Sequence, residues 1–417
     1  MYNLNQSLFI GCDISSEKNV ISILLQDGTS VIKGSFDNDI QGTNKLVELI
    51  YSKIKEYHCS SFLLGVEATS NYQSHLLRYV AASKLNSEFD MHLYQFNARI
   101  IREFKKVYSP KSKTDPYDAL IIAERLRFGN LPDEFIPFDK LEPLRRLTRS
   151  RFHIVKMIEK ESNYFLSNLF IKISNYKKLP FSNTFGNTSI ALITEFDIQD
   201  IENMPMESLV DFLILKSKDH FNNPEAYAKQ VKQVIHNCYR IQPKLNTAIN
   251  IILTTSLENI KAYKKSLKII NKSIERELDQ FQCTLTSIPG IGPIFAATIL
   301  AEIGNRQFKN NNSMAKFAGL TWQHKQSGNY SNEETRMQKS GDTYLRYSLI
   351  QAANSVKNYC PEFNAYYHKK YDETSKHKHK RALVLTARKL VRVIFILLRD
   401  NTLYNPSRTI KTKGGDL

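Results

Sequence analysis

The stretch Leu8-Phe9-Ile10-Gly11-Cys12-Asp13 reads as a buried strand that ends in an acid. Consecutive apolar side chains suit a strand covered on both faces. A carboxylate at its end is poor core filler, because an unpaired buried charge is costly. Outward from this strand, Val20 to Leu25 and Val31 to Phe36 form two more apolar runs, with Asp27-Gly28 supplying a hairpin turn between them. Leu46 to Ile54 has helical spacing. Phe62-Leu63-Leu64-Gly65-Val66-Glu67 then repeats the first pattern, an apolar run closed by an acid. A helix over Tyr72 to Ala82, a short strand from Met91 to Tyr94, and helices carrying Arg99, Arg102, Lys105 and Lys106 follow. Strands succeeded by βα units predict an α/β layer whose ligand edge lies at the strand C-termini.

Lys113-Thr114-Asp115-Pro116-Tyr117-Asp118-Ala119 adds two acids three apart at a predicted helix start. Asp115 suits the N-cap, Pro116 the first helical position, and Asp118 the positive end of the dipole. Positions i and i+3 also share a helix face, so both carboxylates can point at one object. With Asp13 and Glu67 they make four acids in a strand-strand-helix layout. Converging carboxylates repel one another unless cations bind among them. Mg²⁺ prefers oxygen ligands, and two such ions about 4 Å apart can activate a nucleophile and stabilise the leaving oxygen at a phosphodiester. The competing reading leaves all four acids as turn and cap residues.

The chain has 417 residues, the length of two or three domains. It carries 58 Lys and Arg against 41 Asp and Glu, a net charge of +17 that calls for a polyanionic partner, nucleic acid first. A basic surface kept for solubility, or contact with an anionic membrane, would give the same balance. Five cysteines (Cys12, Cys59, Cys238, Cys283, Cys360) lie far apart, without zinc-ligand spacing or a disulfide framework. No basic leader precedes the first apolar run, and Val393 to Leu398 is too short to span a bilayer. The expectation is a cytoplasmic protein that does not enter membranes.

From Leu141 to Asn175 one long helix is predicted, with Leu144, Val155, Ile158, Phe165 and Leu169 at three-four spacing. A second, from Leu245 to Gln280, would be roughly 50 Å long. Two such helices suggest an antiparallel coiled coil or arm, against an ordinary bundle. The insert 177–240 between them reads as helical and polar, without chemistry. Ile288-Pro289-Gly290-Ile291-Gly292-Pro293 and the apolar helix Phe295 to Ile303 read as a helix-hairpin-helix, whose Gly290 and Gly292 let backbone N–H groups approach phosphates; a tight αα corner would also need glycine. Ser327, before Gly328 in a loop, is an exposed nucleophile or a turn residue. Lys339 and Arg346 are candidate nucleic-acid contacts, and Lys376 to Arg381 is a phosphate-facing or merely solvated basic run. Leu383 to Leu398 is a closing helix.

The ordered set of motifs resembles the DEDD-type insertion-sequence transposases, a family of bridge-RNA-guided DNA recombinases. The resemblance is carried by Gly11-Cys12-Asp13, Val66-Glu67-Ala68-Thr69, Lys113-Thr114-Asp115-x-x-Asp118-Ala119 and Ile288 to Pro293. Phe317-Ala318-Gly319-Leu320, Gln326-Ser327-Gly328, Lys339-x-Gly341-Asp342-x-x-Leu345-Arg346, and Ala382-Leu383-Val384 through Ala387-Arg388-Lys389-Leu390 complete it. It covers roughly residues 1–130 and 280–405 and leaves out the insert. It implies an α/β RuvC-like domain of ribonuclease H type over 1–135, in which Asp13, Glu67, Asp115 and Asp118 bind Mg²⁺, as one ion or a pair. A helical, coiled-coil region with the insert would span 136–280, and a mainly α transposase domain with a helix-hairpin-helix 281–405, before a tail at 406–417. The resemblance further implies a serine that links covalently to DNA. Ser327 fits, although Gln326 stands where the family often has a second serine, so Ser331 and Ser340 compete with it. Implied partners are donor and target DNA, a noncoding bridge RNA, and further copies of the chain as a dimer or tetramer.

Three functions therefore compete. A recombinase would use Ser327 as nucleophile on a phosphodiester held by Mg²⁺ and the four acids. A metal-dependent nuclease or junction resolvase would use water. A non-catalytic nucleic-acid-binding protein would use the acids only as caps.

Overall fold

The computed structural model describes residues 6–68, 71–108, 114–218, 221–322, 326–327, 330–331 and 337–406. Thr69, Lys113, Gly328, the tail beyond 406, and the side chains of Ser327 and Ser331 lie outside the described residues. The chain divides into two compact units, Met1–Glu142 and Pro143–Leu417.

In the first unit the elements run β1 (Ser7–Ile14), β2 (Lys18–Leu24), β3 (Ser30–Asp37), α1 (Ile40–Glu56), β4 (Ser61–Glu67), α2 (Gln73–Ala82), α3 (Leu85–Glu88), β5 (Asp90–Phe96), α4 (Ala98–Tyr108) and α5 (Asp115–Arg127). The five strands form one sheet in the order β3-β2-β1-β4-β5. β1, β2 and β3 are an antiparallel meander, and β1, β4 and β5 are parallel. This mixed α/β layer is compatible with a RuvC-like domain. β1 is covered on both faces because its side chains alternate. Leu8, Ile10 and Cys12 pack with Phe62, Leu64, Leu46 and Leu76 on the α1 and α2 side. Phe9 packs with Leu63, Phe96, Ile122 and Leu126 on the α5 side. Gly11 lies on that second face, where a Cβ would stand 2.1 Å from the Ala119 carbonyl oxygen and 2.3 Å from the Ala123 nitrogen. The helix backbone therefore rests directly on the strand, and only glycine allows it.

The second unit continues with α6 (Glu142–Lys172), α7 (Asn187–Glu195), α8 (Ile198–Asn203), α9 (Met206–Ser217), α10 (Pro224–His236) and α11 (Pro243–Leu278), then α12 (Pro293–Ile303) and α13 (Asn311–Phe317). The two-residue strands β6 (Thr321–Trp322), β7 (Gln326–Ser327), β8 (Tyr330–Ser331) and β9 (Met337–Gln338) precede α14 (Thr343–Tyr359), α15 (Pro361–Asp372) and α16 (Lys378–Asp400). It is mostly helical. α6 and α11 run antiparallel: Arg151 Nε donates to Asn271 Oδ1 at 2.9 Å, and ten residues further along α6 Glu161 accepts from Ser256 at 2.7 Å. The insert, expected to be polar, builds an apolar core of its own. Phe165, Leu169, Leu192, Leu209, Val231 and Leu253 pack there from five different helices. Two of its helices bury a single stripe, Leu209 and Leu213 on α9 and Ala228, Val231 and Ile235 on α10, so the core is spread thinly along the sequence. The buried Lys172 ties it together, its ammonium donating to the carbonyls of Ile193 (2.7 Å) and Phe196 (2.9 Å). Among the described residues no helix is long and apolar enough to cross a membrane.

Candidate active site

Because β1 and β4 are parallel and paired through Cys12 opposite Val66, the next residue on each strand, Asp13 and Glu67, lies at the same edge of the sheet. The contact at Gly11 fixes α5 over β1 and brings the first turn of α5 above that edge. The helix starts one residue earlier than its sequence suggests. Thr114, in extended conformation, is the N-cap, and its carbonyl accepts from the backbone of Tyr117 (2.9 Å) and Asp118 (3.0 Å). Asp115 and Pro116 become the first two helical residues. The Asp115 side chain is thus not spent on capping; it is exposed and lines a cleft of about 530 Å³ together with Asp13.

The charges of neighbouring acids reach both Asp13 and Glu67. Burial, and behind it the charges of Asp118 and Asp115, push the Asp13 carboxyl above the usual carboxylate range, against a hydrogen bond from the Ile14 backbone and the charge of Lys105. Glu67 is raised by burial and then by Asp13 and Asp118, again opposed by Lys105. Lys105, on α4, donates to the Asp118 carboxylate and lies 5.2 Å from the Tyr117 ring centroid. Among the described residues no three acidic, histidine or cysteine side chains close on one point as a bound metal would require. The two observations agree once distance is considered, since Coulomb repulsion reaches further than a coordination bond. An all-carboxylate donor set suits a hard divalent cation.

The sequence singled out the four acids and overlooked Lys105. The available signal was spacing: Ile101 is the buried residue of α4, and Lys105 lies four residues on, along the same face.

The remaining candidates lie in the second unit. Ser327 pairs with Tyr330, and Gln326 with Ser331, in the β7–β8 hairpin; Ser340 is exposed outside any strand or helix. Gly290 has φ +95°, and a Cβ there would stand 2.8 Å from Val356 Cα, so it permits the approach of α14. Gly292 is the N-cap of α12 with open space around it. The segment before this turn is a four-residue 3₁₀ helix, Thr284–Ser287, rather than a full α-helix. Arg346 is engaged by the chain itself, donating to the carbonyls of Lys339 (3.1 Å) and Ala318 (3.3 Å). Lys339 is exposed. Gly341, where a Cβ would fall 2.5 Å from the Gly319 nitrogen, seats Lys339–Arg346 against Phe317–Leu320, and Asp342 caps α14 through the Leu345 N–H (2.7 Å).

Two family models match the chain. Residues 10–171 match a DEDD-type transposase model named for IS110, and residues 283–368 match the model described as Transposase IS116/IS110/IS902 family. The chain is 24% identical over 311 residues to the insertion element IS900 uncharacterized 42 kDa protein of Mycobacterium paratuberculosis, covering 72% of this chain and 75% of that protein. It is 24% identical over 318 residues to the insertion element IS116 uncharacterized 44.8 kDa protein of Streptomyces clavuligerus, covering 74% and 77%. A pilin gene-inverting protein of Moraxella bovis is 28% identical over 152 residues, 34% of this chain and 47% of that one. With both of its units matched and the acid-bearing motifs inside the first match, the chain belongs to the DEDD-type IS110 family of insertion-sequence transposases.

Proposed function

We propose that this transposase cuts and rejoins DNA strands by phosphoryl transfer, with Asp13, Glu67, Asp115 and Asp118 holding Mg²⁺ in a RuvC-like site and Ser327 as nucleophile. The observation that carries the reading is the shared sheet edge of Asp13 and Glu67, over which α5 sets two further acids. Bound there, Mg²⁺ would supply Lewis acidity to a phosphodiester. Asp13 and Glu67, fixed by strand backbone, orient the site; Asp115 faces the open cleft, and Asp118 is held by Lys105. In the covalent step the Ser327 Oγ–P bond forms and one P–O bond to a sugar breaks. The serine proton is passed on overall to the departing sugar hydroxyl, and the phosphoserine bond keeps the energy needed for rejoining.

A noncoding RNA from the element would pair with donor and target DNA, and protomers would assemble so that the acids of one subunit meet the serine of another. The long α6 and α11 support an arm for such assembly, and the +17 charge suits nucleic-acid partners. The Gly290–Pro293 turn would act as the phosphate-binding hairpin, aided by Lys339.

The test incubates protein, flanking noncoding RNA and labelled DNA with Mg²⁺, and looks for a covalent protein–DNA adduct. Ser327→Ala should abolish the adduct while Ser331→Ala and Ser340→Ala keep it. Recombination that proceeds with no adduct at any stage would sink the serine role.

A further inference from the structure

The sheet face that carries Asp13 is covered unevenly. Directly opposed residues in neighbouring strands point to the same side of a sheet. Asp13 stands opposite Val20 and Val20 opposite Ser35; Gly11 stands opposite Ser22 and Ser22 opposite Lys33. α5 covers this face over β1 and at the Leu24 end of β2. Toward Lys18 the face is open, and the 530 Å³ cleft lies there, lined by Asp13 and Asp115 at the strand edge and by Glu17, Lys18, Lys33 and Ser35 of the β2–β3 hairpin and the turn before it.

An uncovered hairpin face should be polar, so hydroxyls and lysines alone would mean only solvation. Three features go further. The face is walled into a cleft rather than flat. Lys18 and Lys33 are exposed and, among the described residues, have no ion-pair partner, although three acids, Asp13, Glu17 and Asp115, line the same cleft. The row Asp13–Val20–Ser35 also leads straight from the acid into that hairpin. A lysine ammonium is a compact charge that takes a backbone phosphate without reading the base.

We infer that this cleft is the channel for the DNA strand being cut, with Lys18 and Lys33 binding backbone phosphates on either side of the phosphodiester presented to Asp13, and the Ser35 hydroxyl donating between them. The inference rests on the reading of Asp13 and its neighbours as the cutting site. Lys18 and Lys33 are offset by about four residues along the hairpin, roughly 14 Å of strand. That length spans several nucleotides at the 3.4 Å rise of a duplex strand.

The test is fluorescence anisotropy of a labelled single-stranded DNA oligonucleotide with the full chain, in EDTA, across a series of salt concentrations. Lys18→Ala combined with Lys33→Ala should weaken binding several-fold and make the slope of log K against log salt shallower by about 1.4, two contacts at ~0.7 each. The Lys18→Arg, Lys33→Arg pair should keep the wild-type slope. Ser35→Glu, which adds an anion to the same cleft, should weaken binding as well. An unchanged slope in the alanine pair, or a loss confined to an RNA strand of the same sequence, would overturn the channel. Without divalent ions the assay does not depend on the carboxylate reading. That reading is followed separately, by the Mg²⁺-induced rise in melting temperature, which Asp13→Asn should remove and both lysine pairs should keep. Loss of the rise in the lysine pairs would make them part of the metal site and would equally overturn the channel.

Discussion

The Lys105 ammonium donates to the Asp118 carboxylate, joining α4 to the first turn of α5 across thirteen residues of sequence. Both side chains are one-quarter exposed, and the lysine charge also lowers the cost of ionising Asp13 and Glu67. Lys105 is thus a counter-cation of the carboxylate set. On the proposed Mg²⁺ reading, a divalent ion entering the set would compete with it for Asp118. Lys105→Met should therefore bind Mg²⁺ or Mn²⁺ several-fold more tightly in calorimetry, while the metal-free variant melts below the wild type. Weaker or unchanged metal affinity would mean that the lysine helps to build the site instead.

The raised Asp13 and Glu67 make stability depend on pH with a definite sign. A carboxyl whose folded-state pKa lies above its unfolded value binds more protons folded than unfolded between the two. The metal-free protein should lose stability as pH rises from the ordinary carboxylate range near 4 through these raised values. Asp13→Asn removes the Asp13 share of this effect. Without metal it should melt above the wild type at pH 7, and the gap should shrink toward pH 4. Added Mg²⁺ should reverse the order at pH 7. A wild type that melts above Asp13→Asn at pH 7 in EDTA would contradict the electrostatic account.

Gly11 tests the seating of α5. A methyl group there would meet backbone atoms at 2.1 and 2.3 Å, and backbone cannot rotate away as a flexible side chain can. Overpacking a core ordinarily costs about 1–3 kcal/mol, and Gly11→Ala should reach at least the upper end. Any shift of α5 also lifts Asp115 and Asp118 from Asp13, so strand cleavage should fall further than the melting temperature implies. Gly65, where the nearest contacts are side-chain atoms of Phe96 (2.9 Å) and Leu126 (3.0 Å), should tolerate alanine better. Equal losses at the two glycines, measured by denaturant unfolding, would remove the special role of Gly11.

The strands of the first unit were legible because buried strands are written as apolar runs, and Leu8–Asp13 and Phe62–Glu67 each stop at an acid. Their parallel pairing, which turns two separate acids into neighbours, follows from the β3-β2-β1-β4-β5 order and is not written in either run. The start of α5 was misjudged by one residue because Thr114 and Asp115 are both good caps and only the backbone decides between them. The spacing of Lys105 from Ile101 put it on the inner face of α4, but periodicity describes one helix, not where a second helix meets it, so the pairing with Asp118 was not legible. In the second unit the motifs around Gly319 and Gly341 were legible as motifs. Their mutual packing, with Arg346 bonded to the carbonyls between them, is a tertiary fact.

Arg149 and Glu302 offer a last test, in the second unit. Arg149 Nε and Nη2 donate to the two Glu302 oxygens at 2.8 and 2.7 Å, tying α6 to α12, and the Glu302 side chain is 1% exposed. Burial alone pulls the guanidinium down, but the bidentate bond more than offsets it and holds Arg149 charged. Removing one partner of a buried pair leaves an uncompensated charge, at a cost of about 3–5 kcal/mol. Arg149 is partly exposed, so Arg149→Met should cost about 3 kcal/mol, the lower end of that range. Glu302→Gln added to it should recover a substantial part, because the stranded charge is then gone. A double variant no more stable than Arg149→Met, in urea unfolding followed by circular dichroism, would place the loss in packing of the arginine stem against Tyr344, whose ring centroid lies 4.7 Å from the guanidinium carbon.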